Sequence, residues 1–249
     1  MNILLLGTGT STGVPQLGCN CRTCLSTDKK DKRLRASVLI SEGNTEILID
    51  CGPDLRQQLL TNRINKLSAI LLTHEHYDHV GGLDDVRPLG EAQLFAEKKV
   101  LNIIQRNMPY CFGDNKYPGV PIIHLHEIDE NEFFIDTIKI QPIRIMHARL
   151  PILGYRIGNF AYLTDVKTID NKGIEQLKDL DILVLNALRI NKHIAHLILE
   201  EALEIAYKIG ARETYFTHMS HDMGLHQDVN KSLPKNIQLA YDGLQLSSK

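Results

Sequence analysis

His74-Glu75-His76-Tyr77-Asp78-His79, entered from the apolar run Ala69-Ile70-Leu71-Leu72 and left through Val80-Gly81-Gly82, gathers three imidazoles and an aspartate within six residues. A short unbroken apolar run reads as a buried strand, so this motif hangs from a strand end. On an extended segment alternate side chains share a face, which lets His74 and His76 reach one cation. Asp78 and His79 follow a turn and can reach a second. Desolvating four such groups without a partner is costly, and divalent cations explain them together.

Outward from this motif, short β-rich runs alternate with helical patterns, the signature of a layered α/β or α+β architecture. Strands are expected over Asn2 to Gly7, Ala36 to Ser41, Glu46 to Asp50, Ala69 to Leu72, Pro121 to Leu125, Thr137 to Ile145, Gly154 to Ile157, Ala161 to Thr164, Asp181 to Leu185 and Thr214 to Phe216, with two more near the C-terminus. Helices are expected from Pro53, near Lys98, near Gly173, and from Leu197 to Ile209, where Gly210 supplies a C-terminal cap. No linker, low-complexity segment or charge block divides the chain. A faint internal echo is present: Thr73-His74 and Thr217-His218 both end apolar runs, and Ile49-Asp50 matches Thr164-Asp165.

Leu17-Gly18-Cys19-Asn20-Cys21-Arg22-Thr23-Cys24 places three thiols too close together to staple a fold by disulfides. Three thiolates suit a soft metal and need a fourth ligand, for which His221 in Thr217-His218-Met219-Ser220-His221 is the candidate; a thiol redox switch and three incidental cysteines are the competing readings. The 249 residues carry 28 Lys+Arg against 30 Asp+Glu, a net charge of -2 that offers no global attraction to nucleic acid or to an anionic membrane. Met1 to Gly7 lacks the positive region and cleavage site of a signal peptide, and no apolar run approaches a membrane span. With five cysteines in a chain of this kind, a cytoplasmic location is expected.

The full HxHxDH pattern of His74 to His79 resembles the signature of the metallo-β-lactamase fold superfamily, and the resemblance extends over essentially the whole chain. It implies an α+β fold, a four-layer αββα sandwich forming a single domain over 1–249 from two similar halves. Further ligands in that family come from later strand ends, matched here by His147, Asp165 and His218. The resemblance thus implies one site of His74, His76 and His147, a second of Asp78, His79 and His218, and a bridging Asp165. Two divalent ions, zinc or manganese, about 3.5 to 4 Å apart would generate a bridging hydroxide and polarise the group it attacks, with Asp78 counted among the catalytic residues as well as the ligands.

Gly7-Thr8-Gly9-Thr10-Ser11-Thr12-Gly13-Val14-Pro15, the cysteine loop and Thr217 to His221 together resemble the phosphoribosyl 1,2-cyclic phosphate phosphodiesterase branch, in which a structural zinc accompanies the dinuclear site. The Gly-rich segment lacks the Gly-Lys-Ser/Thr of a phosphate-binding loop and reads as a tight turn that brings backbone close to the site. His196, after a loop containing Arg189, Lys192 and His193, is the candidate proton donor to the leaving alkoxide. Arg87 is a candidate substrate contact. His193 and Asp242 carry no assigned role. A small phosphodiester is the expected partner, and nothing bars a homodimer. The nearest rival is the tRNA 3'-processing endonuclease branch, whose members carry a long basic arm where only Ala148 to Thr164 separates His147 from Asp165 here. A lactonase-type hydrolase fits the metal ligands alone, and a non-catalytic zinc-binding or thiol-sensing module is the reading from another class.

Overall fold

The computed structural model describes residues 1–113 and 116–248. Residues 114, 115 and 249 of the expected single unit lie outside them. Among the described residues fourteen strands form two seven-stranded mixed sheets. The first sheet contains β1 (Asn2–Gly7), β2 (Ser37–Glu42), β3 (Thr45–Ile49), β4 (Ala69–Leu71), β5 (Glu91–Ala96) and β6 (Ile122–Glu127), in that order, with β14 (Gln245–Ser247) added beside β1. The second runs β13 (Ile237–Leu239), β12 (Glu213–Thr217), β11 (Ile182–Asn186), β10 (Phe160–Leu163), β9 (Leu150–Ile157), β8 (Ile138–His147), β7 (Phe133–Ile135). From β3 to β6 and from β10 to β13 neighbours are parallel, so successive strands of these stretches end at the same edge of their sheet.

Strand alternation sorts the apolar residues into three buried layers. Ile40, Ile49 and Leu71 from the first sheet meet Tyr155, Tyr162 and Val184 from the second. The outer face of the first sheet, Leu48 and Ile70 among others, packs on α2 (Leu55–Asn62) and α4 (Lys98–Asn107) through Leu55, Leu59 and Ile104. On the far side Leu163 and Leu185 meet α7 (Leu199–Ile209) through Ala202, Ala206 and Ile209, and α8 (His226–Ser232) through Val229. Three apolar layers between four layers of structure make the αββα sandwich. In chain order the remaining α-helices are short: α1 (Arg22–Leu25), α3 (Tyr77–Val80), α5 (Pro109–Phe112) and α6 (Asn171–Gln176).

The expected elements recur with shifted ends, and three departures have physical causes. Glu91-Ala92-Gln93-Leu94-Phe95-Ala96 is rich in helix formers, yet it is β5, because it lies between β4 and β6 and buries Ala92, Leu94 and Ala96. β9 starts at Leu150 rather than at Gly154, since the hairpin with β8 extends the ladder through His147 opposite Leu150. The helix expected from Leu197 begins at Leu199, with Glu201 accepting the Ile198 N–H to cap it. Among the described residues no helix is long and apolar enough to cross a membrane.

Candidate metal centre

Loops leaving β4, β8, β10 and β12 deliver the histidines and carboxylates to one place. Asp50 after β3, Asp165 after β10 and His218 after β12 have φ of 61°, 57° and 56°, left-handed values that turn each side chain sharply out of its strand. Asp tolerates this conformation, whereas for His218 it carries a cost of about 1–3 kcal/mol, of the kind held at functional sites. Gly52 and Gly82 fit α3 beneath the site: a Cβ on Gly52 would run into the Asp78 carbonyl, and one on Gly82 into the Gly52 carbonyl.

Donor atoms of His74, His76 and His147 lie within 4.8 Å of one another, as do those of Asp78, His79 and His218. Asp165 stands between the two groups. Its Oδ2 is 3.2 Å from His79 Nε2, and its Oδ1 is 3.3 Å from His218 Nε2 and 2.9 Å from His196 Nε2. Asp78 Oδ2 is 3.3 Å from His79 Nε2 and 3.5 Å from His218 Nε2. All seven residues expected as ligands are therefore brought together, with the ring of His196 beside them.

Hydrogen bonds behind the rings fix which nitrogen faces the centre. His79 Nδ1 donates to Asp50 Oδ2 at 2.7 Å, and His147 Nδ1 donates to the Ala195 carbonyl at 2.9 Å, which turns both Nε2 atoms toward the centre. Thr73 donates its hydroxyl to the Asp50 carboxylate, so its oxygen accepts from His74 Nδ1 at 3.0 Å and the His74 Nε2 lone pair points inward. Asp50 is wholly buried, and burial raises its pKa against the opposing pull of His79 and Thr73. Burial, reinforced by His79, holds His74 well below the usual imidazole value; burial and His147 lower His76. Burial also disfavours the charged forms of Asp165 and Asp78, but the surrounding imidazoles outweigh it and keep both below the carboxylate range. Burial alone would leave His79 neutral; Asp165, Asp50 and Asp78 outweigh it and raise its proton affinity.

These residues fit divalent cations by a test internal to the protein. His79 Nε2 and both ring nitrogens of His218 are buried without a hydrogen-bond partner, which would be costly in an interior that offered them nothing. Each of these rings faces the same carboxylates, and imidazole with carboxylate is a donor set for zinc, manganese or iron.

A second cluster joins the N-terminal loop to the strand that carries His218. Cys19 Sγ and Cys21 Sγ each lie 3.3 Å from His221 Nδ1, and Cys24 Sγ completes a set within 4.8 Å. Tetrahedral zinc with Zn–S of about 2.3 Å and Zn–N of about 2.0 Å sets donors roughly 3.5 Å apart, so the spacing suits it. The Cys24 N–H and His221 lower the Cys21 thiol to about 6, while burial raises Cys24. The Gly-rich segment runs beside Met219, the residue that follows His218. A Cβ on Gly7 would run into the Arg35 carbonyl, and Gly9 bridges to Arg35 and Met219, so the close approach ties backbone to backbone beside His218.

Arg87 is not brought to the centre. Its guanidinium donates twice to Asp84, at 2.7 and 2.8 Å, beside a surface cavity of about 410 Å³ between α2 and the turn 83–89. Asp242 accepts from Thr8 Oγ1 and the Leu34 N–H, both at 2.7 Å, and so closes the N-terminal loop. His193 Nδ1 accepts the N–H groups of Ala195 and His196 and lies 3.1 Å from His196 Nδ1, which it orients. Asp50 and Thr73 received no role from the sequence, although the match of Ile49-Asp50 with Thr164-Asp165 was a usable signal.

Comparison with known proteins follows the same lines. The model of the Beta-lactamase superfamily domain matches residues 45–219. A diphosphatase of the PhnP family has a crystal structure that superposes with a TM-score of 0.94 at 39% identity, covering 100% of this chain and 98% of the other. Zinc-bound PqqB from Methylobacterium extorquens shares the fold, with a TM-score of 0.80 at 18% identity and 100% of both chains covered. A protein of Porphyromonas gingivalis named octanoyltransferase is 47% identical over 98% of this chain and 51% of its own length. The chain spans about half the length of the curated relatives it matches first.

Proposed function

The chain belongs to the β-lactamase superfamily and, within it, to the PhnP family, and on that footing we propose that it is a dinuclear-metal phosphodiesterase that opens a small cyclic phosphodiester of the phosphoribosyl 1,2-cyclic phosphate kind. At the coarser level the chain is a hydrolase of the metallo-β-lactamase fold. The finer reading rests on one observation: the His196 ring, 2.9 Å from Asp165 and stacked 5.2 Å from His218, adjoins the metal-donor cluster where a leaving oxygen would need a proton.

His74, His76 and His147 would hold one divalent ion and Asp78, His79 and His218 the other, with Asp165 facing both. Bound there, such ions supply an activated water and neutralise charge on the phosphate. The Asp165 carboxylate only accepts, so the proton on the His196 ring belongs on Nε2, the atom that faces the centre and the one from which it would pass to the leaving alkoxide. Burial lowers His196 to about 4 despite Asp165, and the negative phosphate of a bound substrate acts in the opposite direction. Proton donation matters most for a poor leaving group, which is what a ribose alkoxide is.

The segment between His147 and Asp165 supports a small substrate over precursor tRNA: β9 and β10 fill it as hairpin strands, leaving no arm to clamp RNA. Phosphoanhydride cleavage is the second reading, favoured by the 39% identity to a diphosphatase. Acyl transfer is named for a protein twice as long as this chain.

Turnover of a panel tests these readings: a ribose 1,2-cyclic phosphate, bis(nitrophenyl) phosphate, a nucleoside diphosphate ester, precursor tRNA, a lactone, a β-lactam and an octanoyl thioester. The cyclic diester should have the highest kcat/KM. His196→Ala should slow it by roughly a hundredfold while sparing the nitrophenyl diester, with metal content unchanged. Preference for the diphosphate ester or for tRNA would overturn the reading.

A further inference from the structure

We infer that Lys167 is the positioning residue of the proton donor, holding the His193–His196 turn in register with the metal centre through its main-chain carbonyls; the inference rests on the reading of His196 as that donor. Lys167 Nζ donates to the His193 carbonyl at 3.0 Å and to the His196 carbonyl at 3.3 Å. It is itself gripped by both oxygens of Glu201, at 2.9 and 2.8 Å. Its own backbone is fixed at the centre's edge. Lys167 lies two residues beyond Asp165, and its N–H donates to the Met146 carbonyl at 2.7 Å, directly before His147. One side chain thus spans from the segment carrying Asp165, against the strand end carrying His147, to the turn carrying His196.

The turn needs such an anchor. Residues 189–197 leave and return at one point, where the Leu188 N–H meets the Leu197 carbonyl at 2.9 Å and the Leu199 N–H meets the Arg189 carbonyl at 2.9 Å. Between these ties Ile194 is 88% exposed and Ile190 is 54% exposed, so the outer turn is not seated by apolar packing. Arg189 binds the carbonyls of Asn191 and Lys192 on the outer side, and the carbonyls of His193 and His196 are left to Lys167. The same turn offers the Ala195 carbonyl to His147 Nδ1, so its register bears on a ligand as well as on the acid. Glu201 caps α7 through the Ile198 N–H while it holds Lys167, which fixes the ammonium against the helix start.

Lys167→Met keeps the aliphatic length and removes the charge and donors. Misplacing a catalytic group by about 1 Å costs on the order of a hundredfold, so a loosened turn should slow the cyclic diester about tenfold to a hundredfold and leave bis(nitrophenyl) phosphate nearly unchanged at saturating metal. In the His196→Ala background Lys167→Met should add little, because the two changes remove one function. Glu201→Gln, which keeps the cap acceptor and weakens the ion pair, should give the same leaving-group pattern in smaller measure. Hydrogen exchange of the amides of residues 193–197 should quicken in Lys167→Met, a readout independent of activity.

Equal losses on both diesters, additive losses with His196→Ala, or unaltered exchange in the turn would overturn the anchor. Quickened exchange in Lys167→Met together with no leaving-group selectivity in His196→Ala would instead sink the reading of His196, which separates the two failures.

Discussion

Asp50 is not among the expected metal donors, yet through His79 and Thr73 it organises half of the centre. Its carboxylate receives His79 Nδ1, the Thr73 N–H and the Thr73 hydroxyl, and through that hydroxyl it sets the tautomer of His74. An amide at this position would offer a donor where only acceptors are wanted. Asp50→Asn should therefore weaken metal binding by about 10- to 100-fold with the ligands intact, read by competition against a chromogenic chelator. Unchanged affinity would show that strand geometry alone orients the rings.

Two elements bring chemistry to the centre from outside the sheets. Helix α3 carries Asp78 and His79, and it sits on Gly52 with no room for a methyl group. Gly52→Ala should push α3 outward and empty the Asp78, His79 and His218 site while His74, His76 and His147 retain affinity. Metal titration should then give one tight equivalent at the dinuclear centre in place of two. The N-terminal loop is the other element. Short α1 is capped by Cys21 itself, and only Thr23 and Cys24 of it are buried, too little to fix the loop by packing. A closed site of Cys19, Cys21, Cys24 and His221 would hold it instead, a structural zinc with no open position for substrate. Cys21→Ser should release one zinc and lower the melting temperature or solubility. Unaltered zinc content and melting temperature would leave the cluster as free thiols.

At the scale of the molecule, the loop that follows the first strand is locked to the C-terminal region by a buried polar group around Arg33. Arg33 donates to Thr8 Oγ1 and the Ala240 carbonyl, and its Nη2 lies 3.3 Å from His226 Nδ1. A guanidinium only donates, so this contact requires a lone pair on that nitrogen and a neutral ring. Burial, followed by repulsion from Arg33 and Lys30, lowers His226 from 6.5 to about 4. Between those values the unfolded chain binds more protons than the folded one. The contribution to stability is therefore complete above pH 6.5 and disappears as pH falls through about 4. After allowance for screening by solvent it is about 1–2 kcal/mol. Between pH 7 and pH 4 the melting temperature of His226→Phe should fall less than that of the parent, by roughly 2 to 8 °C. Parallel curves would remove His226 from the acid response. The sequence by itself determined the four donors of His74 to His79, the three thiols of Cys19 to Cys24 and the strands near them, because each rests on local chemistry: alternation, an apolar run, a motif whose members lie within a few residues; His147, Asp165 and His218 entered only through the family resemblance. Tertiary structure decided which groups orient those donors. Asp50 reaches His79 across 29 positions, Ala195 reaches His147 across 48, and Lys167 reaches Glu201 across 34. Such contacts depend on the order in which parallel strands join a sheet and bring their ends to one edge, and no local pattern of side chains encodes that order.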